Sequence, residues 1–298
     1  MSKPEATDAT DATETTPIMP VRPAGSTKDT GSASAATQPT RGRHVLHGCS
    51  LAITVVAMAV QATTMGLYGP PKRIVLIQPG RGAFAIWVAI YALVIGAFSA
   101  QFRWVAVPNR RRDAVASVAL AGSLVGGAVW CCVCRRGGAL QAAALLSSAL
   151  AGVIAMVAAH GGAEGGEGAK RSAKRTKCVL EVATATNASW LLFAAPLGVL
   201  LCVSGDDEAD AVAALLFTGA FQAALTLVCR TPVCGLVTLW TIAWLLPRLF
   251  GDDALRELRA LKTVAVVVLV GGVGLVGLGA WRRRPGRARA TLGPSLSP

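Results

Sequence analysis

Charge is scarce in this sequence: Asp, Glu, Lys and Arg make up 15% of its 298 residues, where a soluble globular domain carries about 25%. The deficit is concentrated in eight apolar stretches of roughly twenty residues, inside which Glu181 is the sole acidic residue. With 53% hydrophobic residues and a mean hydropathy of +0.53, an ordinary soluble domain is excluded and the class is a polytopic membrane protein. The shortage of acids and bases inside the stretches also argues against a proton-coupled or sodium-coupled pump, because such relays are built from ionisable groups held at depth in lipid.

Other absences narrow the field further. The first forty residues hold no Phe, Trp or Tyr, so they have too little apolar surface to offset the entropy of ordering and are predicted to be disordered. That segment lacks the basic start and apolar core of a secretory signal, and Glu5, Asp8, Asp11, Glu14 and Asp29 do not suit an organelle transit peptide. The three histidines form no ligand set: His44 and His47 lie close together but His160 is far away. Cys131, Cys132 and Cys134 contain a lone Cys-x-x-Cys spacing with no second pair to complete a tetrahedral zinc site, so they read as small residues packing at a helix end. No GxSxG, HExxH or P-loop is present, and no nucleophile, base and orienter can be assembled. The sequence therefore predicts a non-enzyme with no catalytic residue, no cofactor and no metal.

What is present is a succession of spans at about 45 to 68, 82 to 102, 114 to 134, 138 to 159, 179 to 203, 211 to 229, 233 to 250 and 261 to 281. Most match a hydrocarbon core of about 30 Å at about 1.5 Å per residue. The expected fold is all-α, a polytopic transmembrane helical bundle of about eight spans. Its organisation is a disordered cytoplasmic tail over 1–43, transmembrane helices one to four over 44–160, a basic cytoplasmic loop over 161–178, helices five to eight over 179–281 and a basic cytoplasmic tail over 282–298. The sixth and seventh spans are short and separated only by Arg230, Thr231 and Pro232, which suits a tight hairpin or a re-entrant pair. Leu255, Leu258 and Leu261 behind Asp252 and Asp253 predict a short interfacial helix over 253–262.

The net charge of +13 would suggest nucleic acid in a soluble protein, but here the bases lie between apolar runs and read as topology determinants facing an anionic leaflet. Laid along the spans they sort 20 to 9 across the membrane, which predicts that both termini are cytoplasmic. The expected partner is the lipid bilayer and not nucleic acid.

Three sets of residues stand out within this frame. Cys178, Cys229 and Cys234 lie at predicted cytosolic helix ends beside bases, the setting of S-palmitoylation. Gly122 and Gly126 form a G-x-x-x-G, and Gly271, Gly274 and Gly277 recur every three residues in the last span; such residues let helix backbones approach closely, and packing within the chain is the first expectation, a dimer interface the second. Asn187-Ala188-Ser189 matches an N-glycosylation pattern but lies inside the fifth span, where Asn187 and Ser189 are placed to hydrogen-bond between helices.

Three ordered segments resemble the UL forty-three family of alphaherpesvirus multi-pass envelope proteins. Gln61-Ala62-Thr63-Thr64-Met65-Gly66-Leu67-Tyr68-Gly69 is similar to that family's Gln-Ala-x-Thr-apolar-Gly-apolar-x-Gly stretch. Arg81-Gly82-Ala83-Phe84-Ala85 resembles its Ser-Gly-Ala-Phe-Ala start of the second span, and Leu215-Leu216-Phe217-Thr218-Gly219-Ala220-Phe221-Gln222 resembles its Leu-Leu-Phe run ending in Gln. The likeness covers most of 44–281 and departs at the centre, where a short Gly and Lys/Arg segment replaces a longer Pro-rich loop. A second likeness, of Phe84 to Tyr91 to tryptophan-rich sensory proteins, covers one span. The first resemblance implies a non-enzymatic accessory component of the virion and of host membranes that tunes membrane fusion or glycoprotein traffic, with other viral envelope glycoproteins as partners. Because that family also resembles nucleoside-type transporters, a facilitative small-solute carrier is the alternative.

Overall fold

The computed structural model describes residues 41–68, 76–78, 81–103, 110–133, 138–161, 171–203, 207–251, 255 and 257–283, all in the second of the chain's two units, Pro39–Pro298. Of the described residues 94% are helical and none is in a strand. Eight helices follow in order: α1 (Arg41–Tyr68), α2 (Ile86–Arg103) after a short 3₁₀ helix at Arg81–Ala85, α3 (Arg110–Val133), α4 (Ala139–His160), α5 (Arg171–Val203), α6 (Glu208–Cys229), α7 (Val233–Gly251) and α8 (Arg259–Arg282). Each, α2 together with the 3₁₀ helix before it, contains a span long and apolar enough to cross a membrane. Apolar runs of this length become helices because lipid offers no partner to a main-chain N–H or C=O, so each must be satisfied within its own segment.

The described ends of the spans differ from the sequence reading in several places. The basic segment expected as a loop over 161–178 is helical from Arg171 onward, since Lys, Arg and Ala are good helix formers and simply extend α5 outward. Of the interfacial helix expected over 253–262, the described residues show Leu255 in a 3₁₀ turn, closed by Leu258 N donating to Leu255 O at 3.3 Å, and from Arg259 onward the segment belongs to α8 itself, with Leu255 and Leu261 buried; residues 253, 254 and 256 lie outside the described residues. Arg41 to Arg43, assigned to the tail, already belong to α1. The rest of that tail, the acids Asp252 and Asp253, Cys134, and the segments 162–170, 204–206 and 284–298 lie outside the described residues. Spans six and seven are two full helices of 22 and 19 residues, a tight hairpin whose turn is set by Arg230 in the left-handed region at φ 51°.

The basic segment after α4 divides the sequence four spans and four, but the packing divides at α5. Helix α1 packs on α2 and α3, α3 on α4, α4 on α5 and α5 on α2, closing a ring of five; α5, α6, α8 and α7 close a second ring of four. As the shared wall, α5 is buried without interruption from Ala183 to Phe193. The first interior is filled by residues such as Ile90, Val94, Phe98, Leu120, Leu124 and Met156, the second by Leu215, Ile242, Leu245, Leu249, Leu261 and Ala265. Near the centre of the second ring a cavity of about 10 Å³ is lined by Phe193, Thr218, Thr241 and Val268 among others, room for about one water-sized sphere.

One of the two prolines inside helices is compensated by a neighbour. Pro196 lies inside α5 and removes the N–H that Leu192 O would accept; the Thr218 hydroxyl of α6 stands 3.5 Å from that oxygen and 2.8 Å from Ala214 O. The start of α6 is capped by Asp207, whose Oδ1 accepts from Ala209 N at 2.9 Å. Its neighbour Glu208 reaches across to α8, where Oε1 accepts from Leu261 N at 2.8 Å and places a carboxylate at the positive end of that helix. One acidic pair thus caps two helices. Replacing Glu208 with Ala should lower stability by about 1 kcal/mol, read as an earlier thermal unfolding midpoint in detergent, while Glu208→Gln, which keeps the acceptor oxygen, should lose clearly less.

Candidate functional site

The polar side chains inside the spans gather where helices meet. Gln61 of α1 donates through Nε2 to Leu124 O of α3 at 2.7 Å and accepts the Tyr91 hydroxyl of α2 at 2.5 Å. Asn187 of α5 donates to Ser123 Oγ at 2.7 Å, and the Ser148 hydroxyl of α4 donates to Ser123 O at 2.5 Å. The hydroxyl of Ser117 lies 3.1 Å from Gln101 Oε1 and 2.8 Å from Asp113 O. In the second ring Gln222 donates to Ser189 O at 2.7 Å. Burying an amide in lipid without a partner costs several kcal/mol, and these bonds are how the uncharged side chains are held there.

Close main-chain approach accompanies the bonds. A Cβ placed on Gly126 would stand 2.8 Å from Ser148 Cβ, one on Gly127 would stand 2.8 Å from Gln61 Nε2, and one on Gly152 would stand 3.2 Å from Ala188 Cα. The same holds at the 3₁₀ helix, where a Cβ on Gly82 would overlap the Trp244 indole ring while Trp240 Nε1 donates to Ala83 O at 3.0 Å. Each of the three resembling segments therefore supplies an inter-helix tie, through Gln61, through Gly82 with Ala83, and through Gln222.

At the end of the bundle where α8 finishes, charged groups form a second cluster. Glu181 lies 3.7 Å from Lys177 Nζ and 3.4 Å from Arg283 Nη2. Arg283 Nε also donates to Arg230 O at 3.0 Å and Arg282 Nη1 to Leu227 O at 3.2 Å, so the two arginines occupy carbonyls left free at the end of α6, the negative end of its dipole. His160 Nδ1 lies 2.9 Å from Met156 O, and its Nε2 is buried with no partner. Glu181 thus sits at the rim, as its place two residues into the fifth span suggests, and fastens α8 to α5. The other rim carries Arg248, whose Nη1 donates to Gln78 O at 2.7 Å.

The structure sorts the residues singled out from sequence. Asn187 does bond between helices; Ser189 takes part through its main-chain oxygen. Of the three cysteines, Cys178 is exposed, whereas Cys229 and Cys234 are buried, Cys234 completely. An acyl chain cannot be carried at those two without unpacking α6 and α7, so that assignment is corrected for Cys229 and Cys234, and Cys178 alone keeps an accessible thiol. Packing within the chain is likewise corrected for most of the glycines. A Cβ on Gly122, Gly271, Gly274 or Gly277 would meet nothing within 4 Å, and of those five only Gly126 is pressed against a neighbour. In α8 the close approaches fall to Gly272, against Leu239 and Thr238, and to Gly279, whose Cβ would lie 2.5 Å from Pro232 N. Among the described residues no group of three or more His, Cys, Asp or Glu is placed to hold a metal ion.

Sequence reasoning missed Gln101, Glu208 and the Gln61–Tyr91 pair. A signal for the first and last was present: α1, α2, α4 and α6 each contain a single glutamine, Gln61, Gln101, Gln141 and Gln222, in otherwise apolar surroundings. No protein-family model, curated protein or solved structure matches the chain.

The glycine geometry gives a direct test. Gly279→Ala and Gly235→Ala, which would drive a Cβ to within 2.8 Å or less of main-chain atoms, should lower stability by about 2 kcal/mol or more if the helices cannot separate, read as an earlier thermal unfolding midpoint. Gly274→Ala should change stability by less than about 0.5 kcal/mol.

Proposed function

We propose that this chain is a non-enzymatic accessory membrane protein of a viral envelope, resident in host membranes and the virion, that works by side-by-side contact with other membrane proteins such as envelope glycoproteins. The observation that carries this reading is the outer face of α8. Its span is only 22% buried, and Gly271, Gly274 and Gly277 leave open space where side chains would stand. Without a hydrophobic drive between helices in lipid, association depends on close backbone approach and van der Waals fit, and glycines on a free face provide the first. On α6, which packs against α8, Phe217 and Phe221 form an exposed aromatic pair with ring centroids 4.7 Å apart. The three ordered segments that resemble the UL forty-three family support the viral setting.

The same reading places both termini in the cytoplasm. Among the described side chains one end of the bundle carries Arg111, Arg112, Lys177, Arg230, Arg282 and Arg283, and the other carries Arg248, Arg259 and Lys262, the asymmetry expected when the richer end faces the cytoplasm. Two measurements test the proposal together. Tags at both termini should be digested only after cells are permeabilised, and glycoprotein-driven cell fusion should change when the protein is co-expressed, with the change lost in a Gly271→Leu, Gly274→Leu, Gly277→Leu variant. Virions that lack the protein, together with unaltered fusion, would refute the accessory role.

A further inference from the structure

Three arginines from two stretches of the chain meet where α6 ends. Arg230 follows the last residue of α6 and turns the chain into α7, with its side chain exposed. Arg282 and Arg283 come from the end of α8 and are exposed as well. Both are fixed by main-chain bonds, Arg282 Nη1 donating to Leu227 O at 3.2 Å and Arg283 Nε to Arg230 O at 3.0 Å. One carbonyl belongs to the last turn of α6 and the other to its cap, so the two guanidinium groups are held on the same helix end.

The topology rule asks only that bases collect at this end of the bundle; it does not ask that they be crowded together and held. Like charges so placed repel. The negative end of the α6 dipole offsets roughly half an elementary charge, and Glu181, 3.4 Å from Arg283, is shared with Lys177. No acid stands among residues 226–236 or 279–283. A guanidinium carries five N–H donors, of which the bonds to Leu227 O, Arg230 O and Glu181 occupy one on Arg282 and two on Arg283. The cluster therefore presents positive charge and hydrogen-bond donors in excess of what these protein groups take up.

We propose that Arg230, Arg282 and Arg283 form a binding site for the headgroup phosphate of an anionic phospholipid. The planar fork of a guanidinium matches two phosphate oxygens at once. A lipid suits the site better than a soluble phosphate because apolar surface adjoins the charge: Leu227 and Val228 in the same turn of α6, and Trp281 next to Arg282, are all exposed and offer a seat for acyl chains. Phosphatidylcholine carries the same phosphodiester, but its trimethylammonium group would be brought against the arginines, so a net negative headgroup is selected. The orientation given under the proposed function would put the site in the anionic cytoplasmic leaflet. Only the choice of leaflet rests on that orientation; binding of the headgroup does not.

The experiment is competitive lipid retention by the full-length protein in detergent, read by native mass spectrometry with equal amounts of phosphatidylserine and phosphatidylcholine. The wild type should retain phosphatidylserine several-fold more than phosphatidylcholine, and Arg230→Gln combined with Arg282→Gln should bring the ratio close to one. Arg111→Gln combined with Arg112→Gln removes the same charge from the start of α3, in the other ring, and should leave the preference in place. If the first pair elutes as aggregate, Arg230→Gln alone, at an exposed side chain, should still lower the ratio. Equal retention of the two lipids by the wild type would overturn the proposal. So would an equal loss of preference in both double variants, an unchanged ratio in a monodisperse Arg230→Gln, or displacement of phosphatidylserine by an equimolar amount of inorganic phosphate. None of these outcomes depends on where the termini lie or on cell fusion, so a failure here is distinct from a failure of the accessory role.

Discussion

Inside a bilayer no water waits to satisfy a hydrogen-bonding group, and the arrangement of this protein follows from that shortage more than from any apolar preference. Lipid tails and leucines attract an apolar helix about equally, so the eight helices are not driven together by hydrophobicity once they are inserted. What draws them into one order is the set of uncharged polar groups that each would otherwise leave stranded. Gln61 finds Tyr91 and Leu124 O, Asn187 finds Ser123, Ser148 finds Ser123 O and Gln222 finds Ser189 O. Even the carbonyl freed by Pro196 faces a hydroxyl from the next helix. Helix α5 supplies a partner in several of these ties, which is why its middle is buried on every side.

Charge is handled by the opposite rule and kept to the rims. Glu181 between Lys177 and Arg283, and Glu208 over the start of α8, each fasten the last helix to an earlier one. The two carboxylates stand at opposite ends of α8, so this otherwise lightly packed helix is clamped top and bottom. Its sides stay open to lipid or to another helix, a combination of fixed ends and a free flank that suits lateral contact.

The number of spans and their positions, to within about four residues at each end, could be read from the sequence, because length and absence of charge are what a membrane selects and both are one-dimensional properties. The two-ring arrangement could not. A break in polarity after α4 marks a loop, yet nothing in the order of residues says that α5 belongs to both halves. The glycines show the same limit: recurrence every three residues drew attention to Gly271, Gly274 and Gly277, while the close contacts fell to Gly272 and Gly279 beside them. Spacing states which residues share a face and leaves open which face meets a neighbour. Cysteines at Cys229 and Cys234 misled for a related reason, since nearness to a helix end says nothing of burial beneath an adjoining turn. The polar pattern of α1 was legible in principle, as His47, Ser50, Thr54, Ala57, Gln61 and Thr64 recur at alternating steps of three and four. It reads as a buried face only once helices α2 and α3 are known to lie against it.

The central place of α5 has a consequence for how the chain is made. Helices leave the ribosome in order, so α1 to α4 reach the membrane while the wall that completes their ring is still unsynthesised. During that interval Ser123 Oγ lacks Asn187 and Gly152 presents an unfilled notch to lipid. The four helices form an open crescent whose polar lip can be covered only by α5 or by a substitute. Assembly is therefore committed late, at a single helix, and a chain halted before Arg171 would be a membrane-inserted half-product with an exposed hydrogen-bonding edge, of the kind that insertion chaperones and membrane quality control engage.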